Sequence, residues 1–295
     1  MPELPEVETV RRSLESRLVG ARISNCCVTE KKILRSTRGV DILEGQTVLS
    51  LDRRGKYLIV ETDRHHVIVH LGMTGQLTIR DPNRPDSQSF DRHPVTGLET
   101  AVQHPPDRHT HFHVCLSDGR SLLFRDTRKF GRVFVLEKDG HSLLDFFAAR
   151  KLGLEPFSPS YQLPAFLALL RKRTLRIKSL LLNQSFVAGV GNIYADEALF
   201  EAGIHPARRT TTLRRSEKIL LFEKVLVVLE RGIRNKGTTF RDFIDGDGRE
   251  GDNRDELFVY GRAGEPCLRC GTAIRKIVVS QRGTHFCPTC QPQKR

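Results

Sequence analysis

Leu4, Val7, Val10, Leu14 and Leu18 recur at steps of three and four residues, the spacing of one face of an α-helix. The pattern predicts an amphipathic helix over residues 3–19, with Pro2 and Pro5 tolerated at its first turn and Gly20 as its stop. From Ile23 to Val135 the texture changes to short apolar runs bounded by turn residues. Examples are Val48–Leu51, Tyr57–Val60, Val67–His70, Phe112–Leu116, Ser121–Phe124 and Val133–Leu136. Asp118-Gly119, between two of these runs, marks a hairpin. Regular short strands of this kind predict a β-sandwich or barrel. Asp81–Asp107 holds five prolines and little periodicity, and reads as a long, mobile surface insertion. After Gly153 the period becomes helical, with segments at Leu163–Leu170, Leu175–Asn183, Asn192–Ala202 and Ser216–Ile233.

Composition narrows the class of partner. Among 295 residues, 48 Lys and Arg stand against 35 Asp and Glu, a formal net charge of +13. A chain this basic suits a polyanion, and nucleic acid is the first candidate. The apolar run Ile219–Leu229 is interrupted by Glu223 and Lys224 and is too short to span a bilayer. The acidic N-terminus lacks the basic region of a signal peptide. Seven cysteines, an odd number, fit a reducing intracellular compartment. Cys26, Cys27 and Cys115 are scattered and read as buried free thiols.

The other four cysteines form a pattern. Cys267 and Cys270 make one Cys-x-x-Cys knuckle, Cys287 and Cys290 another, and sixteen residues separate them. Two such knuckles supply four thiolates for tetrahedral Zn²⁺. All four positions are filled by protein, so the zinc is structural. The spacer fits a β-hairpin, with a strand over Ala273–Ser280, a turn at Gln281–Gly283, and a return through His285 and Phe286. Arg275, Lys276 and Arg282 on it suit phosphate contact. Two other patterns fail. Gly189-Val190-Gly191 begins like a dinucleotide fingerprint, but Tyr194 replaces the third glycine, so no nucleotide cofactor is expected. Asp245–Glu256 has the length of a calcium loop, but Arg249 sits at a ligand position and Glu250 where glycine is required.

Pro2 follows Met1, and loss of Met1 would expose a secondary α-amine. An α-amine titrates near pH ~8, so part of it is neutral and nucleophilic at neutral pH. Such an amine can add to C1′ of a deoxyribose and form a Schiff base, with Glu3 beside it as proton donor. Read alone, Pro2, Glu3 and Glu6 are equally good first-turn helix residues favoured by the helix dipole.

The run MPELPEVETVRRSL, with the cysteines from Cys267 to Cys290, resembles the formamidopyrimidine-DNA glycosylase family, the MutM-type bacterial repair enzymes. The resemblance continues through RRGKYL (53–58), HLGMTGQL (70–77), DTRKFGRV (126–133), GVGNIYADEALFEAGIHP (189–206), ELFVYGRAGEPC (256–267) and QRGTHFC (281–287). It implies an α+β chain: a catalytic β-sandwich with an N-terminal helix (1–136), a helix-two-turn-helix domain (137–258) and a zinc β-hairpin (259–295). It implies a monomer with DNA between the lobes, located in the cytoplasm with the nucleoid. Carried over residue by residue, Pro2 is the Schiff-base nucleophile and Glu3 the general acid. Lys56 assists β-elimination, and Arg282 grips phosphate and assists δ-elimination. The reaction removes an oxidised purine, 8-oxoguanine or a formamidopyrimidine, and nicks the strand on both sides of the abasic sugar.

A base inside a duplex must be flipped out, and something must fill the gap. Met73, Arg128 and Phe130 match the family's insertion residues, with Arg128 reading the orphaned cytosine. Asn192 matches a phosphate contact at a helix start. His70, His109, Arg173 and Lys178 match positions with phosphate or lesion-side roles. Departures fall at Arg173, where the family often has Lys, at His109-Thr110-His111, in the long 81–107 insertion and in the acidic loop near Asp252. That loop puts selectivity among oxidised bases, not activity, at issue. The alternatives are an endonuclease VIII-like glycosylase for oxidised pyrimidines, a non-catalytic DNA-damage-binding protein and a generic basic scaffold.

Overall fold

The N-terminal stripe forms α1 (Leu4–Leu18) in the computed structural model, and its five predicted apolar positions are all buried. The backbone N–H of Glu3 donates to the Glu6 carboxylate at 2.8 Å, which satisfies one of the donors orphaned at a helix start. Gly20 ends the helix with φ +84°, and its N–H donates to the carbonyl of Val48 at 2.8 Å. The structure describes residues 1–36, 39–83, 107–139 and 142–293, so most of the predicted 81–107 insertion lies outside the described residues.

The described residues divide into two compact units, residues 1–146 with 235–252, and residues 147–234 with 253–295. In the first, the short apolar runs become two sheets. The four-stranded sheet has the order β1 (Ile23–Val28), β7 (Thr110–Leu116), β8 (Ser121–Asp126), β6 (Gly75–Arg80). The five-stranded sheet has the order β2 (Leu34–Arg35), β9 (Arg132–Glu137), β5 (His65–His70), β4 (Tyr57–Thr62), β3 (Val48–Arg54). All pairings are antiparallel except β2 with β9. Leu77, Phe112 and Phe124 of one sheet and Leu58, Val69 and Val133 of the other enter a single apolar core with Val10 and Leu14 of α1. This is the expected β-sandwich capped by the first helix. The strands outrun the apolar runs that announce them, because ladder hydrogen bonds continue into polar residues. The Asp118-Gly119 turn forms, with Gly119 at φ +89°.

The three scattered cysteines are not all buried, contrary to expectation. Adjacent residues of a strand face opposite sides, so Cys26 is buried while Cys27 is exposed; Cys115 is half-buried, and all three are free. Burial, with Glu44 nearby, pushes the Cys26 thiol up to about 12.

Residues 235–252, placed by the sequence reading in the middle domain, pack on the first unit instead. The Glu6 carboxylate accepts from Thr238 N–H, Ser13 Oγ accepts from Gly246 N–H, and Gly246 C=O accepts from Ile79 N–H, at 2.8, 2.8 and 2.9 Å. Phe243 is buried in the same core.

The second unit is built on α3 (Leu163–Arg171), α4 (Ile177–Leu182), α5 (Asn192–Glu201) and α6 (Arg215–Arg234), with the hairpin β10 (Arg275–Val279) and β11 (Arg282–Phe286). A short helix, α2 (Ser142–Ala149), precedes them and has no counterpart in the predicted elements. Two successive turns between residues 183 and 191 join α4 to α5, the helix-two-turn-helix arrangement. α4 is shorter than its apolar run. Leu175 and Arg176 are drawn into backbone bonds with residues 208–210, among them Thr210 N–H to Leu175 C=O at 2.9 Å, so the helix starts only at Ile177. α5 is buried from Ile193 to Phe200.

Candidate active site and nucleic-acid contacts

In the first unit, Pro2 and Glu3 are buried at the start of α1, with Met1 exposed ahead of them. Lys56 is also buried. It lies in the two-residue turn between β3 and β4, where Gly55 takes φ +56° and Arg54 pairs with Tyr57. Arg53 ties this turn to α1. Its Nε donates to Glu8 at 3.1 Å and its Nη1 to the carbonyl of Gly55 at 3.2 Å. The Glu8–Arg53 ion pair thus links the turn bearing Lys56 to α1. Glu8 also takes hydrogen bonds from Arg11 and Arg12. Burial opposes its ionisation, but the bonds from Arg11 and Arg12 prevail and hold its carboxyl below the usual range. His70 pairs with Tyr57 across β4 and β5, with ring centroids 4.9 Å apart. Its Nδ1 accepts from Gly72 N–H at 3.2 Å, which leaves Nε2 to carry the proton in the neutral ring.

The proposed wedge residues come together on two loops, 71–74 after β5 and 127–131 after β8. Met73 is 36% exposed and Phe130 49%, both high for large apolar groups. The Arg128 guanidinium lies 4.9 Å from the Phe130 ring centroid. A Cβ on Gly72, which takes φ +67°, would sit 2.6 Å from Gly131 N, so this glycine is what lets the two loops touch. His109 is half-buried, and its Nε2 accepts from Arg108 Nε at 3.2 Å. Desolvation, and then Arg125, lower its pKa, which favours the neutral ring.

In the second unit, Arg173 and Arg282 are exposed. Arg282 is not in the hairpin turn, as the spacing suggests, but on the first position of β11, paired with Val279. The turn is Ser280-Gln281, both with positive φ (+50° and +61°), the conformation a two-residue hairpin loop requires.

Lys178 departs from its expected role. It is 0% exposed, pairs with Asp196 at 2.7 Å, and donates to Gly283 C=O at 3.0 Å and to Thr284 Oγ1 at 2.8 Å. An ammonium held this way does not reach a phosphate; it fastens the β10–β11 hairpin to α5. Asn192, the first residue of α5, donates to the same Gly283 carbonyl at 3.0 Å. Lys178 and Asn192 thus converge on the residue next to Arg282. Asp196 also accepts from His285 N–H at 2.8 Å, and Glu197 accepts from the N–H groups of Phe258, Val259 and Tyr260, each at 2.9 Å.

The four hairpin cysteines meet with their sulfurs within 4.8 Å of one another. Cys267 and Cys290 sulfurs are 4.0 Å apart, and Cys270 and Cys287 3.5 Å. A tetrahedral Zn²⁺ with Zn–S bonds of about 2.3 Å has edges of about 3.8 Å. Backbone N–H groups of Arg269 and Cys290 point at Cys267 and Cys287 sulfur at 3.4 Å, as expected for thiolates in a knuckle. The donor set fits one structural zinc ion.

A helix-capped β-sandwich, a helix-two-turn-helix unit and a four-cysteine zinc hairpin together define the class of zinc-hairpin DNA glycosylases. Family models match in the same order: the formamidopyrimidine-DNA glycosylase N-terminal domain over residues 1–133, its H2TH domain over 152–243, and the zinc finger found in FPG and IleRS over 264–293. The formamidopyrimidine-DNA glycosylase of Herpetosiphon aurantiacus is 43% identical, covering 99% of this chain and 100% of that protein. That of Symbiobacterium thermophilum is 44% identical over 99% of this chain and 90% of its own length. A solved complex of Lactococcus lactis Fpg with DNA containing an abasic site has a TM-score of 0.85 at 37% identity, covering 99% and 100% of the two chains. The chain belongs to the formamidopyrimidine-DNA glycosylase family.

Asp126, Thr74 and the Glu8–Arg53 pair escape the sequence reading. Each acts by holding a loop, and only the tertiary contacts reveal which loop. The DTRKFGRV block contains Asp126 but carries no sign that its carboxylate turns inward. Among the described residues no helix is long and apolar enough to cross a membrane.

Proposed function

We propose that this chain excises oxidised purines, 8-oxoguanine and formamidopyrimidines, from duplex DNA and then nicks the strand at the abasic site. Lactococcus lactis Fpg has been solved with Fapy-dG-containing DNA, and MutM with DNA containing carbocyclic 8-oxo-G. Pro2, freed of Met1, attacks C1′ of the flipped nucleotide. The base leaves as the C1′–N bond breaks, and the ring-opened sugar remains on Pro2 as an iminium. Glu3 supplies the proton for ring opening. Lys56 assists the first elimination and Arg282 the second. Met73, Arg128 and Phe130 fill the vacated stack, and Arg128 reads the orphaned cytosine. His70, His109, Arg173 and Asn192 contact the backbone, and Lys178 holds the hairpin that bears Arg282. The protein works as a monomer in the cytoplasm with the nucleoid. Residues 1–136 form its catalytic part, 259–295 its zinc hairpin and 137–258 its duplex-binding part, less the segment 235–252 that packs on the catalytic part.

The observation that carries this reading is the buried Pro2-Glu3 pair at the start of α1, with Glu3 N–H fixed by Glu6 and the Lys56 turn tied to the same helix through Glu8 and Arg53. Loss of Met1 would leave a secondary amine at this fixed helix start, for which a non-catalytic damage binder has no use. Borohydride trapping on lesion DNA with Pro2→Gly tests it. Loss of the covalent adduct with lesion binding retained is expected; undiminished trapping would remove Pro2 from its role.

A further inference from the structure

We propose that Asp126 is the positioning residue of the gap-filling wedge, setting Met73, Arg128 and Phe130 in one place by binding the backbone of the 127–131 loop and the Thr74 hydroxyl of the loop that carries Met73. The inference rests on the wedge role given above.

Asp126 is the last residue of β8 and is 0% exposed. Its Oδ1 accepts from Thr74 Oγ1 at 2.6 Å and from Arg128 N–H at 3.2 Å, and its Oδ2 accepts from Gly131 N–H at 2.7 Å. Thr74 Oγ1 in turn accepts from Arg128 N–H at 3.3 Å. One carboxylate therefore closes the 127–131 loop on itself and joins it to the loop bearing Met73. Its own backbone is fixed as well: the Asp126 carbonyl is 3.0 Å from His111 Nε2, and His111 is buried.

Met73 and Phe130 are exposed, so beyond the Arg128 guanidinium beside the Phe130 ring their placement depends on the backbone of the two loops. Asp126 joins those loops through Thr74 Oγ1, Arg128 N–H and Gly131 N–H. Three side chains can replace a stacked base only if they occupy the gap together, and displacement by an ångström costs rate heavily. Besides the Asp126 links, the loops meet through the longer Arg128 N–H to Thr74 Oγ1 bond at 3.3 Å and at the glycine pair Gly72 and Gly131. An amide substitutes poorly. Asn accepts at one end only, and whichever way it sits its NH₂ faces a backbone N–H, that of Arg128 or that of Gly131.

The test uses the full zinc-loaded chain with Asp126→Asn, and Thr74→Val as a milder cut of the same link. Two substrates separate positioning from general damage. One is a duplex with 8-oxoguanine opposite cytosine, which needs the gap filled. The other is single-stranded DNA with a preformed abasic site, which does not. Single-turnover excision at saturating enzyme should fall by about tenfold or more on the duplex in Asp126→Asn, and by roughly threefold in Thr74→Val. Nicking of the single strand should stay within about twofold of wild type. A 2-aminopurine reporter beside the orphaned base should lose its insertion signal in both variants. Equal losses on the two substrates, or unchanged duplex excision, would overturn the inference. Wild-type protein that excises no 8-oxoguanine would overturn the proposed function itself, a distinguishable result.

Discussion

Replacing Lys178 by Met should destabilise the second unit without removing a phosphate contact. The side chain is wholly buried against Asp196 and also serves Gly283 C=O and Thr284 Oγ1. Met matches its length and apolar stem but leaves the buried Asp196 carboxylate without the ammonium, with only the His285 ring, Nδ1 at 3.6 Å, beside it. Breaking one side of a buried ion pair costs about 3–5 kcal/mol. The Gly283 carbonyl keeps Asn192 as a donor, so the hydrogen-bond loss adds only about 1 kcal/mol. For a unit of this size the sum lowers the melting temperature by roughly 15–20 °C. Asn at position 196 still accepts from His285 N–H but carries no charge, so Lys178→Met with Asp196→Asn should recover most of the loss. Thermal unfolding of the three proteins reads the first part. DNA affinity against salt, well below the melting point, reads the second. Removing a phosphate contact lowers the salt slope by about one, whereas the recovered double variant should keep the wild-type slope. A Lys178→Met protein that melts like wild type and loses one unit of slope would refute the buried role and restore Lys178 to the DNA surface.

Chelating zinc should release the Cys267–Cys290 hairpin and with it Arg282, cutting DNA binding while the β-sandwich stays folded. Circular dichroism and a binding isotherm before and after metal removal check this, and full binding with zinc demonstrably absent would count against it. The Glu8 carboxyl is held below its ordinary value of 4.5 in the folded chain. Its contribution to stability is therefore present above that value and lost as pH falls through the lowered one. Glu8→Gln should flatten the acid side of the stability profile of the first unit in urea titrations between neutral pH and acid, and an unchanged acid limb would contradict the assignment.

The amphipathic period of α1, the strand texture and the paired Cys-x-x-Cys knuckles carry the architecture in local sequence, because each is a short-range pattern that one burial surface or one metal enforces. The assignments that moved depended on contacts distant along the chain. Lys178 looks like any basic residue near a phosphate site until Asp196, on the next helix, is seen to hold it. Residues 235–252 follow α6 in sequence but are claimed by Glu6, Ser13 and Ile79. The hairpin turn slipped to Ser280-Gln281 because the register of β10 and β11 leaves only two residues to connect them, and sequence preference alone favours Gly283 for a turn. Asp126 was inside a matched block, but a carboxylate beside two basic residues reads as a surface charge, and only the closed loop shows that it is buried.

The most direct test of the central claim is borohydride trapping on three duplexes: 8-oxoguanine opposite cytosine, an oxidised pyrimidine, and undamaged DNA. A covalent adduct strongest on the 8-oxoguanine duplex and absent from undamaged DNA is the expected result. A stronger adduct on the pyrimidine duplex would move the chain to the endonuclease VIII type. No adduct on any lesion, with binding intact and Met1 verified absent, would contradict catalysis by Pro2 altogether.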